Sequence, residues 1–202
     1  MNLKKEYEKV NTPEELLIFM DNIKYGIHGK DNINYKPGDT KEENIIFQNA
    51  CQNVYGLASP EYILKFGIGH CWDQVELERD WFTKHNYEFK TIFIWFEFDY
   101  ENNYSTHTYL IYKDNNDYCY FEHADYNNKG IHRFKSYEDA IKYQYNKHID
   151  YNKSIGNIVT NKEIKHIHIY EYNNPKFSSN MSEFIDYILN SKEITKILNN
   201  NN

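Results

Sequence analysis

The chain has 202 residues, of which 40% are apolar and 26% charged, ordinary values for a globular domain with a buried core, and its 20 Tyr and 12 Phe exclude the aromatic-poor composition of disordered chains. With 8 Gly and 4 Pro it is neither collagen-like nor a linker, and no apolar run approaches the ~20 residues that cross a bilayer. The net charge of −7, with 23 basic residues scattered among 30 acidic ones, opposes binding to a phosphate backbone and excludes nucleic acid as the expected partner.

The first residues, Met1 to Glu8, hold Lys4 and Lys5 but no apolar segment behind them, so no signal peptide is evident. Cys51, Cys71 and Cys119 form no Cys-x-x-Cys pair. An odd count without paired spacing fits a reducing compartment, and a cytoplasmic protein is the expectation.

Asn11-Thr12-Pro13-Glu14-Glu15 predicts a helix start. Thr12 is the cap, Pro13 takes the first helical position, and Glu15 closes a Thr-x-x-Glu box. Leu16, Leu17, Met20 and Ile23 recur at helical spacing and carry that helix to about Tyr25-Gly26. Residues 28–40 are polar and read as a loop. A second helix is expected from Thr40 to about Val54. A third, short helix starts at Ser59-Pro60 and stops at Phe66-Gly67. From Cys71, the positions Val75, Leu77, Glu78, Trp81 and Phe82 suit a helix running to about His85.

Three strands follow. Lys90–Asp99 is nearly all apolar, as expected of a strand covered on both faces. Ser105–Lys113 and Tyr118–His123 flank Asp114-Asn115-Asn116-Asp117, which predicts a two-residue type I′ hairpin. Ser136 with Ala140, Ile141 and Tyr145 suggests a further helix. Glu163–Tyr172 alternates as a last strand, and Ser182 to Leu198 reads as a terminal amphipathic helix before a frayed Asn tail. Helices, then a sheet, then a mixed tail give an α+β class, in one domain spanning 1–202.

The chemistry concentrates at Gly67-Ile68-Gly69-His70-Cys71-Trp72-Asp73. A thiol opening a helix feels the positive end of the dipole and nearby backbone N–H groups, which favour thiolate, and the same N–H groups suit an oxyanion. The bland alternative is a buried free cysteine acting as a small hydrophobe. A thiolate nucleophile needs a base, and the base needs an orienting group. His107 lies on the first hairpin strand. With Asn115-Asn116 as the turn, Tyr109 faces Glu122 and Thr108 faces His123, so His107 and Glu122 share one face as diagonal neighbours about 7 Å apart. Asp125 would point to the opposite face. Parity therefore selects Glu122 over Asp125, and a three-residue loop or a bulge would reverse that choice.

These blocks resemble the transglutaminase-like superfamily, which shares a papain-like Cys-His-acid core. Its motifs are Gly-x-Cys-x-Asp at a helix start, a His beginning a strand, and an acid ending the next strand. Gly69-His70-Cys71-Trp72-Asp73 looks like the first, His107-Thr108-Tyr109-Leu110 the second, and Tyr118-Cys119-Tyr120-Phe121-Glu122 the third. The family usually has Asp-Pro where this chain has Glu122-His123. The likeness covers roughly residues 67–125 and suggests a small bacterial or phage member, with residues 1–66 as a helical addition and 126–202 adding a helix, a strand and a helix.

The resemblance implies a Cys-bearing helix packed on an antiparallel sheet, with Cys71 as nucleophile, His107 as base and Glu122 as orienting acid. It also implies a thioester intermediate and an amide substrate in a protein, peptide or smaller molecule, without cofactor, metal, nucleic acid or membrane. Hydrolysis comes first, as in a peptidase or amidase, and acyl transfer second. The arylamine N-acetyltransferases are similarly built, but their Arg-Gly-Gly run is replaced here by Phe66-Gly67-Ile68-Gly69. A catalytically silent protein- or glycan-binding module is the alternative.

Other polar groups have plainer readings. His166-Ile167-His168 puts two imidazoles on one strand face, a pair suited to a metal but without a third ligand at motif spacing. His70, Cys71 and Asp73 with Cys119 is a weaker zinc set. His123 and His132, bracketing the polar segment 124–130, read as structural or rim residues. Trp72, Trp95 and Tyr109 read as core.

Overall fold

The computed structural model describes residues 2–99 and 104–199. Five helices precede the main sheet: α1 (Leu3–Tyr7), α2 (Pro13–Met20), α3 (Lys41–Asn53), α4 (Pro60–Phe66) and α5 (Cys71–Lys84), with the short strands β1 (Ile27–His28) and β2 (Asn34–Tyr35) between α2 and α3. There follow β3 (Phe89–Phe98), β4 (Tyr104–Asp114), β5 (Asp117–Glu122), β6 (Gly130–Phe134), α6 (Tyr137–Ser154), β7 (Ile164–Tyr172), α7 (Met181–Leu189) and β8 (Lys192–Glu193). The main sheet has six strands in the order β6-β5-β4-β3-β7-β8, and every neighbouring pair is antiparallel. The class is mixed, with helices on both faces of an antiparallel sheet.

Local chemistry sets most helix ends. Thr12, Thr40, Ser59 and Ser136 each accept, at their helix start, the N–H of the residue three positions on. Gly67 closes α4 in the left-handed conformation, at φ 65°, where a side chain would be strained. Glu15, expected to complete a box with Thr12, instead accepts from the Asn11 N–H at 2.8 Å.

The two faces of the sheet belong to different cores. Phe93, Leu110, Tyr112, Cys119 and Phe121 pack with α5, where Phe82 meets Tyr112 and Phe121 at ring-centroid distances of 4.7 and 5.6 Å. Ile92, Ile94, Phe96, Tyr109, Ile111 and Tyr120 pack on the other face with Ala140, Ile141 and Ile149 of α6. This double covering is why β3 reads as a continuous apolar run.

The hairpin keeps the expected register, Leu110 opposite Phe121 and Asp114 opposite Asp117. Its two-residue loop differs from type I′, because Asn115 has a positive φ of 55° and Asn116 does not. The ladder with β5 ends at Leu110–Phe121, while β4 continues along β3, with His107 opposite Ile94.

Several boundaries depart from the sequence reading. The second helix of the chain ends at Met20 rather than near Tyr25-Gly26, since Lys24 turns to form a parallel bridge with Ile68. The segment read as a loop carries the β1–β2 hairpin, turning at Asn32 with a φ of 63°. Residues 124–130, read as a polar loop, lead into β6, and His132 is part of that strand, paired with Tyr120. The terminal helix stops at Leu189. Phe184 and Ile188 belong to the α5-side core, whereas Ile194 joins the α6-side core after β8 pairs with β7, so one periodic pattern served two faces. The fraying expected of the Asn tail lies outside the described residues.

Candidate active site

Cys71 is the first residue of α5, and the helix start is fixed by Asp73. That buried carboxylate accepts from the His70 N–H at 3.0 Å, the Ala58 N–H at 2.8 Å and the Tyr55 hydroxyl at 2.9 Å. His70 Nδ1 lies 3.1 Å from the same carboxylate, out of line for a hydrogen bond. Gln74 donates to Gly69 O at 2.8 Å and faces His123 Nδ1 at 2.7 Å, tying the helix to the segment just beyond β5. The Asp73 and Gln74 N–H groups donate to His70 O at 3.0 and 2.9 Å, while those of Cys71 and Trp72, at the very start of α5, have no intrahelical acceptor.

His107 and Glu122 meet directly, with His107 Nε2 at 2.6 Å from Glu122 Oε2. The Tyr120 hydroxyl donates to that same oxygen, and the Asp125 N–H donates to Oε1 at 2.7 Å. Both carboxylate oxygens are thus satisfied although Glu122 is 2% exposed. Asp125 serves through its backbone, and its carboxylate turns away to accept from the Asn127 N–H at 3.1 Å.

With Nε2 engaged, the other ring nitrogen of His107 is left for Cys71. The thiol and the imidazole line one cavity and shift each other's pKa. Burial alone would raise the Cys71 pKa, but the hydrogen bond and charge of His107, the charge of His70 and the Tyr25 hydroxyl bring it below the ordinary thiol value. Burial disfavours the His107 imidazolium, yet Glu122 and the Cys71 thiolate hold its pKa well above the ordinary value. Glu122 resists burial through His107 and stays below the usual carboxylate range. The other thiols behave differently: burial pushes Cys51 up to about 12 and also raises Cys119.

Two residues at the site carried no sequence signal. Tyr25 is placed by backbone pairing, with Lys24 N–H on Gly67 O at 2.9 Å and Gly69 N–H on Lys24 O at 3.0 Å, so it lines both cavities that Cys71 lines. His148 of α6 holds Ser105 Oγ at 3.1 Å and stacks on His107 with centroids 6.2 Å apart. Burial and the nearby His107 charge push His148 down to about 3, so this second imidazole is neutral. Both contacts join residues far apart in the chain, and only the thiol's position in the fold reveals them.

Cys71 stands where two cavities adjoin. One, of about 630 Å³, includes Tyr25, Phe47, Thr106, His107, Asp125 and Tyr151. The other, of about 320 Å³, includes Gln48, Cys51, Gln52, Trp72, Tyr104 and Met181. Trp72 is core and cavity wall at once, since its ring packs 4.7 Å from Phe184.

Elsewhere, His166 and His168 share a face of β7 with centroids 6.2 Å apart, and His168 Nδ1 pairs with Glu193 at 3.2 Å. His123 Nε2 faces Asp21, and His132 Nε2 faces Asn128 O at 2.9 Å. Cys119 lies against Arg133, remote from Cys71. Among the described residues no group of three His, Cys, Asp or Glu side chains is placed to hold a metal ion, and no helix is long and apolar enough to cross a membrane. No family model matches the chain, and a search of curated proteins finds no match.

Proposed function

We propose that this chain is a cysteine-dependent acyl hydrolase or transferase acting on amide bonds, built on a transglutaminase-like core. Cys71 is the nucleophile, His107 the general base and acid, and Glu122 the acid that orients the ring. The observation carrying this reading is the 2.6 Å contact of His107 with a fully hydrogen-bonded, buried Glu122, in a cavity that His107 shares with a thiol at a helix start. A buried charge pair of this kind costs desolvation, so it contributes little to stability as such and fits a chemical role better.

The thiolate of Cys71 attacks an amide carbonyl, forming the S–C bond, and the oxyanion is met by N–H groups at the start of α5. His107 gives its proton to the departing nitrogen as the C–N bond breaks, leaving a thioester and a free amine. Water or an amine then attacks the thioester, its proton passes to His107, and the C–S bond breaks to restore the thiolate. Hydrolysis is the default outcome because water needs no binding site. The substrate is an amide in a protein, peptide or smaller molecule, and the three unpaired thiols suit a reducing, cytoplasmic setting.

The second reading, a silent binding module, is favoured by the 7% exposure of Cys71. Iodoacetamide at neutral pH separates the two. A catalytic Cys71 is alkylated far faster than Cys51 and Cys119, whereas equal rates, or protection of Cys71 in the folded chain, support the module.

A further inference from the structure

The two cavities flanking Cys71 differ in charge. The smaller is lined by amide, hydroxyl, aromatic and sulfur-bearing side chains, and its one imidazole, His70, has the Asp73 carboxylate as counter-charge at 3.1 Å. The larger holds a single carboxylate, Asp125, and among its described lining residues there is no Lys or Arg. His148 on its wall is neutral, and His107 is engaged by Glu122. Lys129, the nearest basic residue in sequence, is paired with Asp21 instead. One oxygen of Asp125 accepts from the Asn127 N–H at 3.1 Å, while burial and the Glu122 charge raise the carboxyl above its ordinary value. Around it stand the rings of Tyr25, Phe47, Tyr126 and Tyr151, with Tyr126 87% exposed at the rim.

We propose that the larger cavity receives a positively charged part of the substrate, an ammonium or guanidinium, with Asp125 as its counter-charge and the surrounding rings as its walls. A carboxylate in a recess raises the local concentration of cations. Aromatic faces attract the same charge through their quadrupole, and they do not attract an anion. The smaller cavity, without a free charge, takes a neutral group on the other side of the scissile bond. This rests on the acyl-transfer reading of Cys71 and adds a specificity-determining residue, Asp125, to it.

The test uses three thiol reagents of one chemistry, the aminoethyl, sulfonatoethyl and methyl methanethiosulfonates, which are cationic, anionic and neutral. In each case the thiolate sulfur forms a disulfide and methanesulfinate leaves, so differences in rate report access and charge. Labelling is read on the Cys71 peptide by mass spectrometry, with the urea-unfolded chain giving the intrinsic ratio. The expected cation-to-anion rate ratio at folded Cys71 is roughly tenfold or more above the unfolded ratio. Asp125→Asn, which keeps a side-chain acceptor for the Asn127 N–H, lowers that ratio about threefold or more. Tyr126→Ser, at the exposed rim, lowers it in the same direction. A ratio at or below the unfolded value, or one unchanged in both variants, overturns the proposal. If none of the three reagents, the neutral one included, labels Cys71 in the folded chain, the thiol reading itself fails and this inference falls with it.

Discussion

At the scale of the residue, the account concerns one proton shared between a sulfur and an imidazole. Because the Cys71 pKa is lowered and the His107 pKa raised, the pair is biased toward its charged, thiolate–imidazolium form. An ordinary thiol near 8.5 is only about 3% thiolate at pH 7. His107→Ala is therefore expected to slow alkylation of Cys71 at pH 7, by up to roughly 30-fold. Cys71→Ala should abolish turnover and shift the unfolding midpoint little, which circular dichroism checks. Glu122→Gln still holds the ring by a hydrogen bond but stabilises imidazolium poorly. Its expected effect is a rise in the pH midpoint of Cys71 labelling and a smaller loss of rate at pH 7 than in His107→Ala.

At the scale of the element, the site depends on backbone that carries no catalytic group. Gly26 has a φ of 148°, and a Cβ there would stand 2.4 Å from Tyr35 O. Gly26→Ala should cost about 1–3 kcal/mol in denaturant unfolding, and it should raise the labelling midpoint of Cys71 as the Tyr25 hydroxyl withdraws. An unchanged midpoint with normal folding would remove Tyr25 from the account. This part of the molecule was illegible in the sequence, because the Lys24–Ile68 bridge is set by tertiary packing and leaves no periodic trace. The hairpin was legible. Two Asn residues between alternating apolar strands fixed the loop length, loop length fixed the register, and register put His107 and Glu122 on one face. The α4 boundaries were legible too, since Ser59-Pro60 and Gly67 act through local backbone chemistry. β6 and β8 were missed because short, half-exposed strands depend on their neighbours for pairing, and Tyr25 and His148 because they arrive from distant segments.

At the scale of the whole molecule, Cys71, His107 and Glu122 sit among buried carboxyls that do not all pair. Glu78 of α5 is buried beside Glu122 and His107, and burial, then the Glu122 charge, raise its pKa well above the usual carboxylate value. A raised carboxyl pKa means that its contribution to stability is intact below the unfolded value near 4.3 and is lost as pH rises through the folded value. Glu78→Gln, neutral at every pH, should therefore gain thermal stability over the parent chain on going from pH 5 to pH 8. Parallel melts of both chains check this, and a constant difference in midpoint would mean that Glu78 is not held protonated. Glu122 acts in the opposite sense. Its lowered pKa gives stability that is present above the ordinary carboxylate value and lost as pH falls through the folded one.

The most direct test of the thiolate–imidazolium pair is the rate of iodoacetamide alkylation at Cys71 followed across pH, with and without His107. The account predicts that the parent chain stays reactive below the ordinary thiol range, and that His107→Ala moves the profile up to a single midpoint near or above 8.5. Coincident profiles for the two chains would contradict it.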